Sequence, residues 1–213
     1  MTDIELPRPT KIVCVGRNYV KHAEELGNTV PEEPLLFLKP PSAVIASGET
    51  IVRPPESRQV EHEGEIAVVI GERCRHVNEA DALDHVAGLA ALNDVTARDL
   101  QRRDSQWSRA KGFDTFCPVG SVVSAEGVDF GALEVTCAVD GQQRQRGRAS
   151  DMAFPIPLLV SYISGIMTLE PGDIIATGTP EGVGPLVAGD EVVVEVLTGG
   201  TPLSTVRNVV VDG

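Results

Sequence analysis

The chain has 213 residues, with 31 acidic against 18 basic side chains and a formal charge of −13 at neutral pH. Its length and ordinary apolar content of 42% allow a sizeable core and exclude a disordered chain, while the charge excludes nucleic acid as a partner, because phosphate binding needs a basic footprint. No apolar run is long enough to cross a bilayer and the polar, proline-bearing residues 1–10 are unlike a signal peptide, so a cytoplasmic protein without membrane association is expected.

Short apolar runs punctuated by Gly, Pro and Asp predict strands over 11–15, 35–38, 66–70, 89–95, 119–123, 134–139, 173–177, 191–197 and 203–211. Asp140-Gly141 and Gly199-Gly200 read as tight hairpin turns. Helices are fewer. Asn18 is expected to cap one through Glu25 and Asn78 one through His85, residues 98–104 form a short one, and residues 157–166 form an apolar-faced helix opened by prolines. No linker, repeat or GxGxxG fingerprint interrupts the pattern. The expectation is a mainly β fold with α insertions (α+β), one domain over 1–213 with 1–10 as a lead-in. Cys14, Cys74, Cys117 and Cys137 form no CxxC pair, and Cys14 and Cys137 sit in apolar runs, as reduced core residues do.

The segment Glu61-His62-Glu63-Gly64-Glu65, followed by the apolar run 66–70, is the most informative. In a strand, side chains two apart share a face with Cα atoms about 6–7 Å apart, so two carboxylates can converge on one ion. Gly64 leaves the other face open to close approach. Glu61 shares the face as well, so periodicity leaves open which two of the three would bind, and a solvated strand end is the plain alternative. Asp94 lies inside another apolar run, where a carboxylate is costly without a partner. A set of oxygen donors without a His or Cys pair suits a hard ion: Mg²⁺ or Mn²⁺, with Ca²⁺ behind them. Lys111 would balance surplus charge or meet substrate oxygens. His62, His76 and His85 have no such context and are read as structural or surface residues.

Six segments occur in order: Val15-Gly16-Arg17-Asn18-Tyr19, Leu36-Phe37-Leu38-Lys39-Pro40, Glu63-Gly64-Glu65-Ile66-Ala67, Asn93-Asp94-Val95-Thr96-Ala97-Arg98-Asp99-Leu100-Gln101, Ala110-Lys111-Gly112-Phe113-Asp114 and Thr177-Gly178-Thr179-Pro180-Glu181-Gly182. Together they resemble the catalytic domain of the fumarylacetoacetate hydrolase family, nearest its acylpyruvase and oxaloacetate decarboxylase-like branch. The resemblance implies a mixed β-sandwich roll, usually a homodimer, with Glu63, Glu65 and Asp94 as ligands to Mg²⁺ or Mn²⁺. It makes Lys111 the family lysine and implies substrate contacts from Arg17, Gln101 and Thr179. The H-x-x-E pair of that branch, a catalytic dyad on a lid helix, falls on His22 and Glu25, which share a helix face three residues apart.

The implied activity is metal-dependent hydrolysis of a carbon–carbon bond in an acylpyruvate-type 2-oxo acid, such as fumarylpyruvate or acetylpyruvate, through a metal-stabilised pyruvate enolate. His22 with Glu25 would activate water. Second come decarboxylation of oxaloacetate and, in aromatic catabolism, isomerisation or decarboxylation of a 2-hydroxyhepta-2,4-diene-1,7-dioate. A non-catalytic metal- or carboxylate-binding β-domain is the reading of a different class. The partner in every case is a small anionic molecule.

Overall fold

The computed structural model describes residues 2–3, 7–25 and 27–213; Met1, Ile4, Glu5 and Leu6 of the expected lead-in and Leu26 lie outside them. Strands dominate and the helices are insertions between them. The largest sheet runs Leu35–Lys39, Ile12–Gly16, Ile174–Ala176, Gly64–Ile70, Val86–Asn93, Cys117–Val119 and Val44–Ala46, with Val123–Ser124 also paired to Val86–Asn93. A five-stranded sheet runs Gln142–Arg148, Leu133–Val139, Glu191–Thr198, Thr201–Asp212 and Thr50–Arg53. Three short strands, Gly184–Pro185, Val60–His62 and Thr96–Ala97, make a small sheet at one end.

The burial patterns explain why these runs take these places. Every residue of Gly64–Ile70 is buried, because this strand lies inside the large sheet with side chains covered on both faces. Leu133–Val139 alternates buried and half-buried positions, as a strand with one face on the core does. The two larger sheets pack face to face: a Cβ on Gly64 would lie 2.9 Å from Cys137 Cβ and 3.3 Å from Val194 Cγ1, so only glycine lets the sheets close at that point. All four cysteines are free and buried.

Several local expectations are corrected. Asn18 does not cap the helix Val20–Glu25; its side chain donates to Phe154 O (3.1 Å) and Thr177 O (2.8 Å) and accepts from Phe154 N (2.8 Å), tying three loops together. Asn78 makes no side-chain cap, and the segment after it, Glu79–His85, is a 3₁₀ helix. The run 119–123 is divided between two short strands, Cys117–Val119 and Val123–Ser124, separated by Gly120 and its neighbours. The helix Ser108–Lys111 and the strands Val44–Ala46, Thr50–Arg53 and Thr96–Ala97 had no distinct signal, being only two to four residues long.

Asp173 anchors the entry of the first strand. Its Oδ1 accepts from Thr10 N (2.8 Å), Thr10 Oγ1 (2.7 Å) and Lys11 N (3.1 Å), its Oδ2 accepts from Glu170 N (2.8 Å), and Lys11 Nζ pairs with it. Burial opposes its charge, but Lys11 and these N–H and O–H donors prevail and hold the carboxyl below its ordinary value. A depressed folded-state value means that the stabilisation is complete above the ordinary carboxylate range and is lost as pH falls through it. Asp173→Asn is expected to lower unfolding stability at pH 7 by about 3 kcal/mol and to flatten the acid limb of stability against pH. Urea unfolding from pH 7 down to pH 3 checks both, and an unchanged acid limb would refute the assignment.

Candidate active site

The register of the large sheet brings the acidic residues together. Gly64 is paired with Asn93, so the start of Gly64–Ile70 lies beside the end of Val86–Asn93, and Asp94 follows directly. Glu63 is not part of a continuous strand with Glu65, as the periodicity suggested. It is the junction between Val60–His62 in the small sheet and Gly64–Ile70 in the large one. The junction is pinned by Glu63 N donating to Asn93 Oδ1 (3.0 Å) and by Asp94 N donating to Glu63 O (2.8 Å). Glu63, Glu65 and Asp94 each present a carboxylate oxygen, all within 4.8 Å of one another, and all three residues are buried. Glu61 is outside this group: Arg98 Nε donates to it at 2.7 Å and Gln59 Nε2 at 2.6 Å.

Three buried cations face the four carboxylates. Lys111 Nζ donates to Glu63 Oε2 and Asp94 Oδ2, both at 2.7 Å, and Arg98 Nη2 donates to Glu63 Oε1 at 2.5 Å. Lys39, 1% exposed, donates to Val95 O (3.0 Å) and Lys111 O (2.5 Å) and places Nζ 2.7 Å from Asp94 Oδ1. That approach to Oδ1 is off the hydrogen-bonding direction, so Oδ1 is a buried oxygen without a hydrogen-bond partner. The sequence reading gave Lys39 no role. Its signal is a lysine closing the apolar strand Leu35–Lys39, where a charge is buried only if it is paired.

Burial opposes the charge on Glu63, yet Lys111 and Arg98 beside it hold its carboxyl well below the usual range. Glu65 is the opposite case. Burial, then Asp94 and Glu63 nearby, push its carboxyl well above the usual range, and its Oε2 accepts only from Gly178 N (2.8 Å). Lys111 keeps its proton more firmly than an ordinary lysine, because Asp94 and Glu63 outweigh its burial. The cluster thus carries four carboxylates against three cations, with Glu65 poorly compensated and Asp94 Oδ1 unbonded. A hard cation fits this all-oxygen set, and one doubly charged ion would reverse the local surplus from negative to positive.

The cluster opens into a cavity of about 300 Å³ whose lining includes Glu63, Glu65, Asp94, Lys111, Arg98 and His22. Arg17, Gln101 and Thr179 line it as well, so these residues and the acidic group share one space. Gln101 Oε1 accepts from Arg98 Nη1 at 2.6 Å. Thr179 Oγ1 donates to Gly64 O (2.9 Å) and accepts from Gln145 Nε2 (2.8 Å). His22 is 5% exposed, with Nδ1 3.3 Å from Glu25 Oε2, and the same carboxylate accepts from Gly182 N at 3.0 and 3.2 Å. Phe37 and Trp107 form an apolar wall, ring centroids 5.2 Å apart, with Lys111 Nζ 4.9 Å from the Phe37 centroid. Asn28, Gln101 and Arg102 of the helix Arg98–Arg103, and Trp107 belong to the same lining.

Gln145 also escaped the sequence reading. It is 1% exposed on the mostly exposed, polar strand Gln142–Arg148, where Gly147 is the other buried residue. Its Oε1 accepts from Gly64 N (2.9 Å) and meets His62 Nδ1 (3.0 Å), while Nε2 donates to Thr179 Oγ1 and to Pro180 O, both at 2.8 Å. It therefore ties the glycine between the two glutamates to the Thr179 turn. His62 is buried on the far side, where burial lowers its basicity, in keeping with the structural role expected of it. Burial pushes the Cys117 and Cys137 thiols up to about 12, so neither is poised as a nucleophile.

Comparison with known proteins agrees with this geometry. Residues 11–211 match the family model for the fumarylacetoacetate (FAA) hydrolase C-terminal domain. The chain is 50% identical over 188 residues to a mitochondrial oxaloacetate tautomerase (FAHD1) of Arabidopsis thaliana, covering 86% of this chain and 84% of that protein. It is 45% identical over 185 residues to a mitochondrial oxaloacetate decarboxylase of Dictyostelium discoideum, covering 84% and 85% respectively. Among solved structures, fumarylpyruvate hydrolase from Pseudomonas aeruginosa in complex with Mn²⁺ and pyruvate superposes with a TM-score of 0.89 at 32% identity, over 100% of this chain and 93% of that one. A match over nearly the whole length, a shared mainly β fold and an acidic triad suited to a divalent metal make this chain a member of the fumarylacetoacetate hydrolase family of enzymes.

Proposed function

We propose that the chain hydrolyses a carbon–carbon bond in an acylpyruvate-type 2-oxo acid. The observation that carries this reading is the His22–Glu25 pair, a positioned base lining the same cavity as the acidic triad. Glu63, Glu65 and Asp94 would hold Mg²⁺ or Mn²⁺, which supplies Lewis acidity for the negative charge that develops as the bond to carbon breaks.

The side chains divide the remaining work. With Nδ1–H of His22 given to Glu25, the other ring nitrogen keeps its lone pair and takes a proton from water. The water oxygen attacks the distal carbonyl of the substrate. The carbon–carbon bond then breaks, its electron pair stays on the pyruvyl fragment as an enolate, and the acyl fragment leaves as a carboxylic acid. The proton held by His22 passes to the enolate carbon, giving pyruvate. Lys111, charged and fixed between Glu63 and Asp94, turns its remaining N–H to the carboxylate of the pyruvyl end, and the Thr179 hydroxyl joins it by rotating its proton from Gly64 O to the substrate. Gln101 holds Arg98 against Glu63 beside them.

A second reading is supported by the names of the relatives at 45–50% identity: tautomerisation or decarboxylation of oxaloacetate in the same cavity. In tautomerisation a proton moves between carbon and oxygen of the bound acid. In decarboxylation CO₂ leaves with the same enolate behind it and no water attacks.

Incubation with acetylpyruvate, fumarylpyruvate and oxaloacetate separates these readings. Consumption should require Mg²⁺ or Mn²⁺, stop with EDTA and return on readdition; if no 2-oxo acid is consumed, the chain is a non-catalytic metal- or carboxylate-binding domain. His22→Ala is expected to cut acylpyruvate hydrolysis by about 10²–10⁴-fold, read as kcat by steady-state assay, and unimpaired hydrolysis would remove the dyad. Glu63→Gln is expected to abolish the metal-dependent rate, and a wild-type rate would displace Glu63 as a ligand.

A further inference from the structure

The cavity lining contains four permanently cationic side chains, Arg17, Arg98, Arg102 and Lys111, and their surroundings differ. Arg98 is committed to Glu61 and Glu63, and Lys111 to Glu63 and Asp94. Arg102 is exposed and donates to Gln59 Oε1 at 2.5 Å. Arg17 is half-buried, and among the described residues it has neither a hydrogen bond nor an ion pair. In a chain with 31 acidic side chains, a half-buried guanidinium with no carboxylate beside it stands out.

Its backbone points the same way. Arg17 has φ of 59°, in the left-handed region that costs a non-glycine residue free energy and that clusters at ligand-binding positions. The residue before it, Gly16, is packed under the Trp107 ring, where a Cβ would lie 3.1 Å from Trp107 Cζ3. The turn at 16–17 is therefore held between the first strand and the Trp107 wall, and Arg17 lines the space that they enclose.

We propose that Arg17 is a specificity-determining residue that binds a second, distal carboxylate, so that the site selects dianionic 2-oxo acids over monoanionic ones of the same length. This deepens the reading of the cavity as a 2-oxo acid site and rests on it. The charge inventory supports it. The cluster of four carboxylates and three cations, completed by a dication, carries one positive charge and neutralises the carboxylate of the pyruvyl end. Arg17 adds a second positive charge that is paired with no described carboxylate, while Arg102, on neutral Gln59, lies at the exposed rim, and a chain of net charge −13 has to offset its own field locally to admit a dianion. A guanidinium offers two parallel N–H donors to a carboxylate or sulfonate, and this suits it better than an ammonium.

Two unreactive ligands isolate the distal group: 3-sulfopyruvate, with an anion at the far end, and 2-oxobutanoate, with a methyl there. Calorimetric titration of Mn²⁺-loaded wild-type protein should give sulfopyruvate an affinity advantage of about tenfold or more, as a charge-assisted hydrogen-bonded pair provides. In Arg17→Gln the ratio of the two affinities should collapse towards one, and Arg17→Lys, which keeps the charge, should retain part of it. Equal binding of both ligands by the wild type, or a ratio unchanged in Arg17→Gln, overturns the Arg17 inference alone. Binding of neither ligand overturns it together with the 2-oxo acid reading.

Discussion

The structure is organised around a buried excess of negative charge. Glu61, Glu63, Glu65 and Asp94 are at most 6% exposed, and burying carboxylates is unfavourable unless each is matched. Three cations do most of the matching. Arg98 joins the small sheet to the junction at Glu63, Lys111 joins Glu63 to Asp94, and Lys39 braces Asp94 from the edge strand of the large sheet. One carboxylate's charge is left over. A cluster short of one cation at its centre suits a divalent ion, and the strain is concentrated where that ion would sit, at Glu65 and at Asp94 Oδ1.

The fold holds these groups in place because they are attached to its least deformable part. Gly64–Ile70 and Val86–Asn93 are central neighbours with mostly buried side chains, and their register, with the bonds that pin Glu63 to Asn93 and Asp94, sets the spacing of the triad. Gln145 reaches across from the second sheet to the amide of Gly64 and the hydroxyl of Thr179, so the packing of the two sheets also orients the turn that places Thr179 in the cavity lining. Arrangement of the site and closure of the core are thus one packing problem, and glycine at position 64 satisfies both.

Much of this was legible in the sequence, for identifiable reasons. The long apolar strands follow from their composition, and the acidic pair before residue 66 and the carboxylate inside 89–95 stand out because charge next to apolar runs needs a cause. What escaped was long-range or very local. A strand of Gln and Arg such as Gln142–Arg148 reads as surface, and nothing local marks Gln145 as the one residue of its neighbourhood that reaches the centre of the molecule. The strand break at Glu63 is set by pairing to two different sheets, which a period of two does not encode. Asn18, expected as a helix cap, lies one residue before the cap position, which is Tyr19, and spends its amide on Phe154 and Thr177, more than a hundred residues away, in loops that the fold brings together.

The proposed base is supported differently from the triad, and this bears on how one cavity can serve related reactions. The helix Val20–Glu25 has six residues, too few to be stable alone. Burial of His22 and Ala23, the bonds from Gly182 N to Glu25, and the Lys21–Glu181 pair hold it to the 177–184 turn. Those ties are few and partly exposed, so the free energy that holds the base in place is small beside that which holds the triad. In the proposed mechanism both proton transfers through His22 depend on this helix, whereas holding the ion that would stabilise an enolate depends on the sheets. On the proposed mechanism, small changes in the helix or its turn would impair hydrolysis, which needs an activated water, more than loss of CO₂, which does not, and this is one way in which a single fold can complete different reactions.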